Sequence, residues 1–388
     1  MSQWKTIKIG DFIALQRGHD LPERNRVSGT IPVYGSAGIN GFHNVARAKG
    51  PGVVLGRSGA SYGVAHYCPT DYWPHNTVLY VTDFKGNDER FVYYFLDKFD
   101  FSSLNSGSAQ PSLNRNFVYL AEARIPPFPT QRRIAAILSA YDDLIENNLR
   151  RIKILEEMAQ NIYREWFVEF RFPGHQKVKM VDSPLGKIPE GWEVSTLGSV
   201  CALIKEPYRE ELHASFPLID LARIPQKTLL ASEVGSPKEL STSRIIFSPD
   251  DVLFGAIRSY LYKVILAPTN GVTNVSVFVL RSREEIRKPF VAVLLSMEDT
   301  IRWADQYSTG TKMPVIKWDV FQRMKVLIPK GGVIHGFYDV VWPMMQLIKN
   351  TFVRNSNLCR TRDLLLPKLI SGELDVSELD ITIPEANA

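Results

Sequence analysis

Few residues in this sequence suit chemistry at a metal, a membrane or a disulfide framework. Its 388 residues include three cysteines, Cys68, Cys201 and Cys359. An odd number at wide spacing supplies neither a metal-ligand set nor a disulfide scaffold, and fits a reducing, cytoplasmic setting. No apolar run approaches the ~18 residues that span a bilayer, so no membrane partner is expected. The first dozen residues place no apolar stretch behind a basic start, so no secretory signal is expected either. The seven histidines are dispersed, which argues against a bound metal. No G-x-x-x-x-G-K-[ST] loop is present to cradle ATP phosphates. Pro249-Asp250-Asp251 lacks the E-x-K that would follow it in a nuclease cluster. Ile125-Pro-Pro-Phe128 has the outline of the Asn/Asp-Pro-Pro-Tyr/Phe loop of amino-methyltransferases, but Ile125 has no polar group to hold a target amine.

What is present is ordinary for a globular protein: 45% hydrophobic and 22% charged residues, in a chain long enough for two cores. The net charge of +5 is unevenly spread. Residues 1–129 carry +3 and residues 173–330 carry +4, while 130–172 are neutral and 331–388 carry −2. Two basic blocks alternate with neutral or acidic ones, an arrangement in which the blocks meet a polyanion and the rest does something else.

The chain also repeats itself. Trp4-Lys-Thr-Ile-Lys-Ile-Gly10 resembles Trp192-Glu-Val-Ser-Thr-Leu-Gly198, 188 residues later. Residues 53–57 (VVLGR) resemble 252–256 (VLFGA), and 91–96 (FVYYFL) resemble 290–295 (FVAVLL), both 199 apart. From Pro111 and Pro314 onward the offset is 203, and it holds through Ile125 and Ile328, Leu144 and Leu347, and Leu155 and Leu358. The repeated unit is a globular block followed by a helical block.

In the first helical block, residues 126–129 (PPFP) predict an extended lead-in. Apolar residues then recur at Ile134, Ile137, Leu138, Tyr141, Leu144, Ile145, Ile152, Leu155, Met158, Ile162, Trp166 and Phe170, in helical steps. Asp143 and Glu146 form a D-x-x-E pattern that suits a fresh helix start, and Pro343 falls 203 residues after Ala140. Each block is therefore expected to contain a short helix, a break, and a long helix over about 143–170 and 344–369. A helix of about 27 residues is roughly 40 Å long, close to one turn of B-DNA. Two such helices with apolar stripes pack on each other antiparallel, as a spacer between two readers.

The basic blocks read as short β-rich runs with Gly/Ser/Asn turns, plus helices near 89–99 and 284–297. Their loops hold the candidate contacts. Arg57, Ser58 and Tyr62 share one short turn, and Arg258, Ser259 and Tyr260 another. Arginine takes a guanine edge or phosphate, and hydroxyls bond to either. Before and after the shared proline lie Ser106, Ser108, Gln110, Asn114 and Arg115 in the first copy, and Thr309, Thr311, Lys312 and Lys317 in the second. Gln and Asn suit adenine, while Lys suits guanine or phosphate. Gly59-Ala-Ser61-Tyr-Gly63 spells the G-x-S-x-G nucleophile elbow, but a strand-like run follows where the elbow needs a helix. The second copy has Tyr260 and Tyr262 at those positions. Residue classes persist between the copies while identities differ, as two readers of different short words would show.

Residues 126–135 (PPFPTQRRIA), 155–174 (LEEMAQNIYREWFVEFRFPG) and 364–374 (LLLPKLISGEL) resemble the conserved regions of type I restriction–modification specificity subunits. Gly191-Trp192 and residues 107–114 (GSAQPSLN) fit the same pattern, and the likeness runs through the whole chain. At Lys330-Gly331-Gly332-Val333 the second copy lacks the Thr-Gln-Arg-Arg of the first. The resemblance implies an α+β fold with an internal pseudo-two-fold duplication. Two β-rich target recognition domains, 1–129 and 176–330, would be separated by two long antiparallel spacer helices in regions 130–175 and 331–380, with a tail at 381–388. It further implies double-stranded DNA as ligand, each domain reading half of a bipartite asymmetric site. Two methyltransferase subunits would dock on the helices, and translocase/nuclease subunits would join through the complex. The chain itself would be non-catalytic and without a cofactor, with S-adenosylmethionine, ATP and Mg²⁺ held by the partners.

Overall fold

The computed structural model describes residues 4–104, 112–231, 234–329 and 332–381. The chain divides into two compact units, residues 1–144 with 358–388 and residues 145–357.

In the first unit, Lys5–Lys8 pairs antiparallel with Glu122–Ile125, in the register Lys5↔Ile125, and so brings together the two ends of the globular block. Between them lies a four-stranded antiparallel sheet in the order Ala14–Arg17, Val78–Asp83, Gly52–Gly56, Ala65–Cys68. Gly52–Gly56 is paired on both sides and wholly buried, which is why its sequence, GVVLG, is an unbroken apolar run rather than an alternating one. Helix Glu89–Lys98 covers this sheet. Asp88 caps it by accepting from the Phe91 N–H at 2.9 Å, and Phe91, Val92, Phe95 and Leu96 fill the core. Ile134 and Leu138 from one long helix, and Leu366 and Leu369 from the other, complete that core.

The second unit repeats the plan. Glu193–Thr196 pairs with Lys325–Ile328, and the sheet order is Cys201–Ile204, Val277–Ser282, Val252–Gly255, Val264–Leu266. The register pairs Lys5↔Ile125 and Glu193↔Ile328 reproduce the sequence offsets of 188 and 203, and Gly56↔Val78 against Gly255↔Val277 reproduces 199. The duplication is therefore one of topology and register. Helix Lys288–Ser296 stands where Glu89–Lys98 does in the first unit; all of Phe290–Leu295 is buried, so this helix has no polar face.

The long helices correct the expected break. Phe128–Tyr163 and Gly332–Ser371 are each continuous, at 36 and 40 residues, and the first passes directly into a π-helical turn, Arg164–Val168. The extended lead-in is shorter than expected too, since Pro129 occupies the first turn, where its missing N–H costs nothing. Pro343 lies inside the second helix on an exposed position, while Phe337, Val341, Met345 and Ile348 are buried around it. A proline in a helix interior costs about 3 kcal/mol, and burial of several large apolar side chains at about 1.5–3 kcal/mol each outweighs it. Asp142 and Asp143 cap nothing. Asp142 accepts from the Tyr94 hydroxyl at 2.5 Å and from Arg362 at 2.6 Å, and Asp143 pairs with Arg90 at 3.0 Å. Within the second unit the helices pair antiparallel: buried Asn148 donates to Asn355 at 2.7 Å, and Ile152 packs with Ile348.

The helices also hold the second block by a buried acid. Glu156 accepts from the Thr228 hydroxyl at 2.7 Å and the Leu229 N–H at 2.6 Å. Burial raises its pKa, with the two hydrogen bonds opposing. A carboxyl whose folded pKa lies above its unfolded value binds its proton more tightly in the native state. It therefore weakens stability as pH rises from the ordinary Glu range through the raised value. Glu156→Gln keeps the accepting oxygen and removes the charge, so we expect it to hold or gain stability at pH 7 and to flatten the urea-denaturation pH profile. Glu156→Ala should cost about 1–3 kcal/mol by orphaning the Leu229 N–H. Equal losses in the two variants would mean that the charge itself is required.

Candidate nucleic-acid interface

In the first unit, the candidate loop grows from the end of the central strand. The Arg57 N–H donates to Thr77 O at 3.0 Å, and its carbonyl accepts from Leu113 at 2.8 Å, so the backbone is fixed on both sides. Ser58 bridges to Ser112. These contacts bring residues 57–58 to residues 112–115, about fifty positions away in sequence. Arg115 opens helix Arg115–Leu120 and donates to Leu15 O at 3.4 Å, and Asn114 caps that helix through the Asn116 N–H. Leu15 lies two residues before Arg17, the last residue of the edge strand.

Arg17, Arg57 and Arg115 thus converge on one end of the sheet. Among the described residues, none of the three has a carboxylate within ion-pair distance. The Arg57 guanidinium is half-buried with its Nε unpartnered, and both burial and the Arg17 charge lower its pKa. Cations crowded together without counter-charge form a site that favours an anion or the acceptor edge of a base. Arg17 was not among the sequence candidates. Its signal is its position at a strand end, which emerges only once Arg17↔Leu79 and Gly56↔Val78 set the register.

Tyr62 has a different role from the one expected: its hydroxyl donates to Phe101 O at 2.8 Å, and its ring packs on the core. Burial, with help from Asp100, raises its pKa. The turn Gly59–Ser61 is followed by strand Ala65–Cys68, not by the helix of a nucleophile elbow. Ser106, Ser108 and Gln110 lie outside the described residues.

In the second unit the same backbone bonds recur. The Ala256 N–H donates to Ser276 O at 3.0 Å, and the Ile316 N–H donates to Ala256 O at 3.0 Å. Ala256 therefore stands where Arg57 does. Lys317 occupies the position before helix Trp318–Phe321 that Asn114 occupies before its counterpart, without the capping hydrogen bond that Asn114 accepts, and Trp318 takes the place of Arg115. This register agrees with the sequence offset of 199, which sets Ala256 and not Arg258 opposite Arg57. Arg258 lies two residues further on, in the left-handed region at φ 52°, with its N–H on Pro314 O at 2.8 Å and its guanidinium on Lys312 O at 3.4 Å. Thr309 pairs with Val315, and Val315 with Ile257. Residues 256–260 and 309–317 thus form one surface, on which Arg258, Tyr260, Thr309, Thr311, Lys312 and Lys317 are exposed. Ser259 is buried with its hydroxyl unpartnered, so it does not face a ligand.

Among the described residues, no group of three or more His, Cys, Asp or Glu is arranged to hold a metal ion, and no helix is long and apolar enough to cross a membrane.

Residues 1–157 match the type I restriction modification DNA specificity domain. The chain is 25% identical over 287 residues to the type I restriction enzyme MjaIX specificity subunit of Methanocaldococcus jannaschii, a match covering 71% of this chain and 66% of the relative. It is 23% identical over 318 residues to the MjaVIII specificity subunit of the same organism, covering 76% and 72%. Its fold matches that of the type I restriction–modification S subunit from M. genitalium at a TM-score of 0.65 and 15% identity, over 95% of this chain and 96% of the other.

Proposed function

The chain belongs to the type I restriction–modification specificity-subunit family, and on that premise we propose that it is the non-catalytic DNA reader of such a complex. Each globular block reads one half of a bipartite, asymmetric double-stranded site. The long helices set the distance between the halves and offer docking surfaces to two methyltransferase subunits. Translocase/nuclease subunits join through the complex. S-adenosylmethionine, ATP and Mg²⁺ belong to those partners, and the assembly works on DNA in the cytoplasm.

The observation that carries this reading is the duplicated pair of joined loops. In each block the described loop cations are left without carboxylate partners, although ion pairs are plentiful elsewhere. Arg17, Arg57 and Arg115 serve the first half-site. Arg258, Lys312 and Lys317 serve the second, with Tyr260, Thr309 and Thr311 beside them. Ser58 and Asn114 sit next to the first cluster, and the sequence assigns Ser106, Ser108 and Gln110 to the same reader.

The test is DNA binding by the assembled complex, measured against salt. Arg57→Ala should weaken binding by about 1–3 kcal/mol and relax preference at one position of one half-site if it reads a base. Arg17→Ala, if it holds phosphate, should weaken binding evenly across sequences and lower the salt slope by about one. Tyr62→Phe should leave DNA affinity unchanged, because its hydroxyl is used internally. Unchanged affinity in both arginine variants would remove the cluster from the interface.

A further inference from the structure

The place occupied by the arginine cluster in the first unit is occupied by a cleft in the second. Leu203, Ile204, Val277, Phe278, Val315, Ile316 and Trp318 line it, with Val275 and Ile245 at its sides and Lys205, Lys317 and Asp319 at its rim. The correspondence is one of backbone position. Lys205 follows Ile204 as Arg17 follows Gln16 in the paired registers Leu203↔Leu280 and Leu15↔Val81, Ala256 replaces Arg57, and Trp318 replaces Arg115. Three guanidiniums have given way to one lysine, a methyl group and an indole. Trp318 meets Phe278 edge-on, with ring centroids 6.2 Å apart, so the apolar wall is built from side chains that pack on each other. Val275 is 64% exposed at the mouth, where an apolar side chain gains nothing from the chain's own fold.

We propose that this cleft reads A·T pairs by taking the 5-methyl groups of thymine from the major-groove edge of double-stranded DNA, so that the two copies read with different chemistry. The inference rests on the DNA-reading function given above. Three observations select this occupant. The site continues the surface formed by Arg258, Lys312 and Lys317 through the pairings of Val315 with Ile257 and of Ile316 with Ala256. Lys205 and Lys317 at the rim suit flanking phosphates, whereas the floor has no cation to take a guanine edge. Asp319 is an acceptor, which fits an exocyclic amino group of adenine or of cytosine and disfavours the acceptor edge of guanine, so the preference for A·T comes from the apolar wall that takes the thymine methyl.

The experiment uses the chain in complex with its methyltransferase subunits and duplexes carrying its modification-mapped site. The second block's half-site is the one that survives exchange of residues 1–129. Replacing its thymines by deoxyuridine removes only the methyl groups, and each methyl held by the cleft should cost about fourfold in affinity. The same replacement in the other half-site should change nothing. Val275→Ser, at an exposed position that the fold does not need, should weaken binding to thymine DNA and shrink the thymine–deoxyuridine difference. Three results would overturn the inference: a second half-site made only of G·C pairs, equal binding of the thymine and deoxyuridine duplexes, or a Val275→Ser variant that keeps full discrimination while losing assembly with the methyltransferase, which would mark the cleft as a protein-docking surface. A complex with no site-specific binding at all would fail the underlying DNA-reading function, and the cleft's role with it.

Discussion

Exchange of residues 1–129 for the corresponding block of another specificity subunit is expected to change one half of the modified sequence and leave the other half as it was. The ground is structural self-sufficiency. Lys5–Lys8 and Glu122–Ile125 pair with each other, so the exchanged piece begins and ends at one place. Its sheet, its capped helix and its candidate contacts all lie between those ends. The piece must still fit Ile134, Leu138, Leu366 and Leu369, which share its core, and it must leave room for Gln131. That buried side chain donates to Asn87 Oδ1 at 2.8 Å and to Pro126 O at 3.0 Å, and accepts from the Asp88 N–H at 3.1 Å. A donor block with Asn87 and Asp88 counterparts should therefore seat well. The effect is large: with each mismatched pair costing about 1–3 kcal/mol, three altered pairs amount to roughly two to six orders of magnitude against the old half-site. Mapping methylated sites in DNA from cells carrying the exchanged chain and its partners reads the result directly. A change in both halves would refute the modular reading, and a change in neither would remove DNA reading from this block.

How far the sequence revealed this depends on the scale of the feature. The duplication was legible because insertions fall in loops: the offset steps from 188 to 199 to 203, and between steps the strands keep their register. The helical break was misread because Pro343 and the D-x-x-E pattern are local signals. The winning terms were tertiary: burial of Val341, Met345 and Ile348, and the use of Asp142 and Asp143 by Arg362, Tyr94 and Arg90. Loop chemistry was legible in kind but not in place. The offset of 199 sets Ala256 opposite Arg57, as the backbone bonds do, but Tyr62 and Ser259 turn inward, which their letters do not reveal. Arg17 and the cleft around Trp318 were invisible for a related reason. Both are assembled from segments distant in sequence, and nothing in any one segment alone marks it as part of a site.

The two aspartates that resemble a nuclease fragment, Asp250 and Asp251, each hold a cation, and this gives the second large expected effect. Asp251, 1% exposed, takes Arg281 through both oxygens at 2.7 and 2.8 Å and accepts from the Ser248 N–H at 2.8 Å. Asp250 sits at φ 72°, a left-handed conformation that Asp tolerates better than most residues. It faces Lys349 on the long helix and Lys288 at 3.4 Å. The side chains of Lys349 and Asp250 are only 9% and 15% exposed. Asp250→Asn keeps the shape and the backbone preference but leaves the Lys349 ammonium buried without its counter-charge. Breaking a buried pair from one side costs about 3–5 kcal/mol, and the residual exposure places this one near the lower end. Lys288 is less affected, since Glu285 also holds it, at 2.7 Å. The double variant Asp250→Asn/Lys349→Met should recover much of the loss, because a methionine in that slot needs no partner. Urea denaturation of the four proteins closes the cycle. A coupling of several kcal/mol would make the pair a clamp between the second block and its helix, while an Asp250→Asn cost below about 1 kcal/mol would show that water reaches Lys349 and that packing alone joins them.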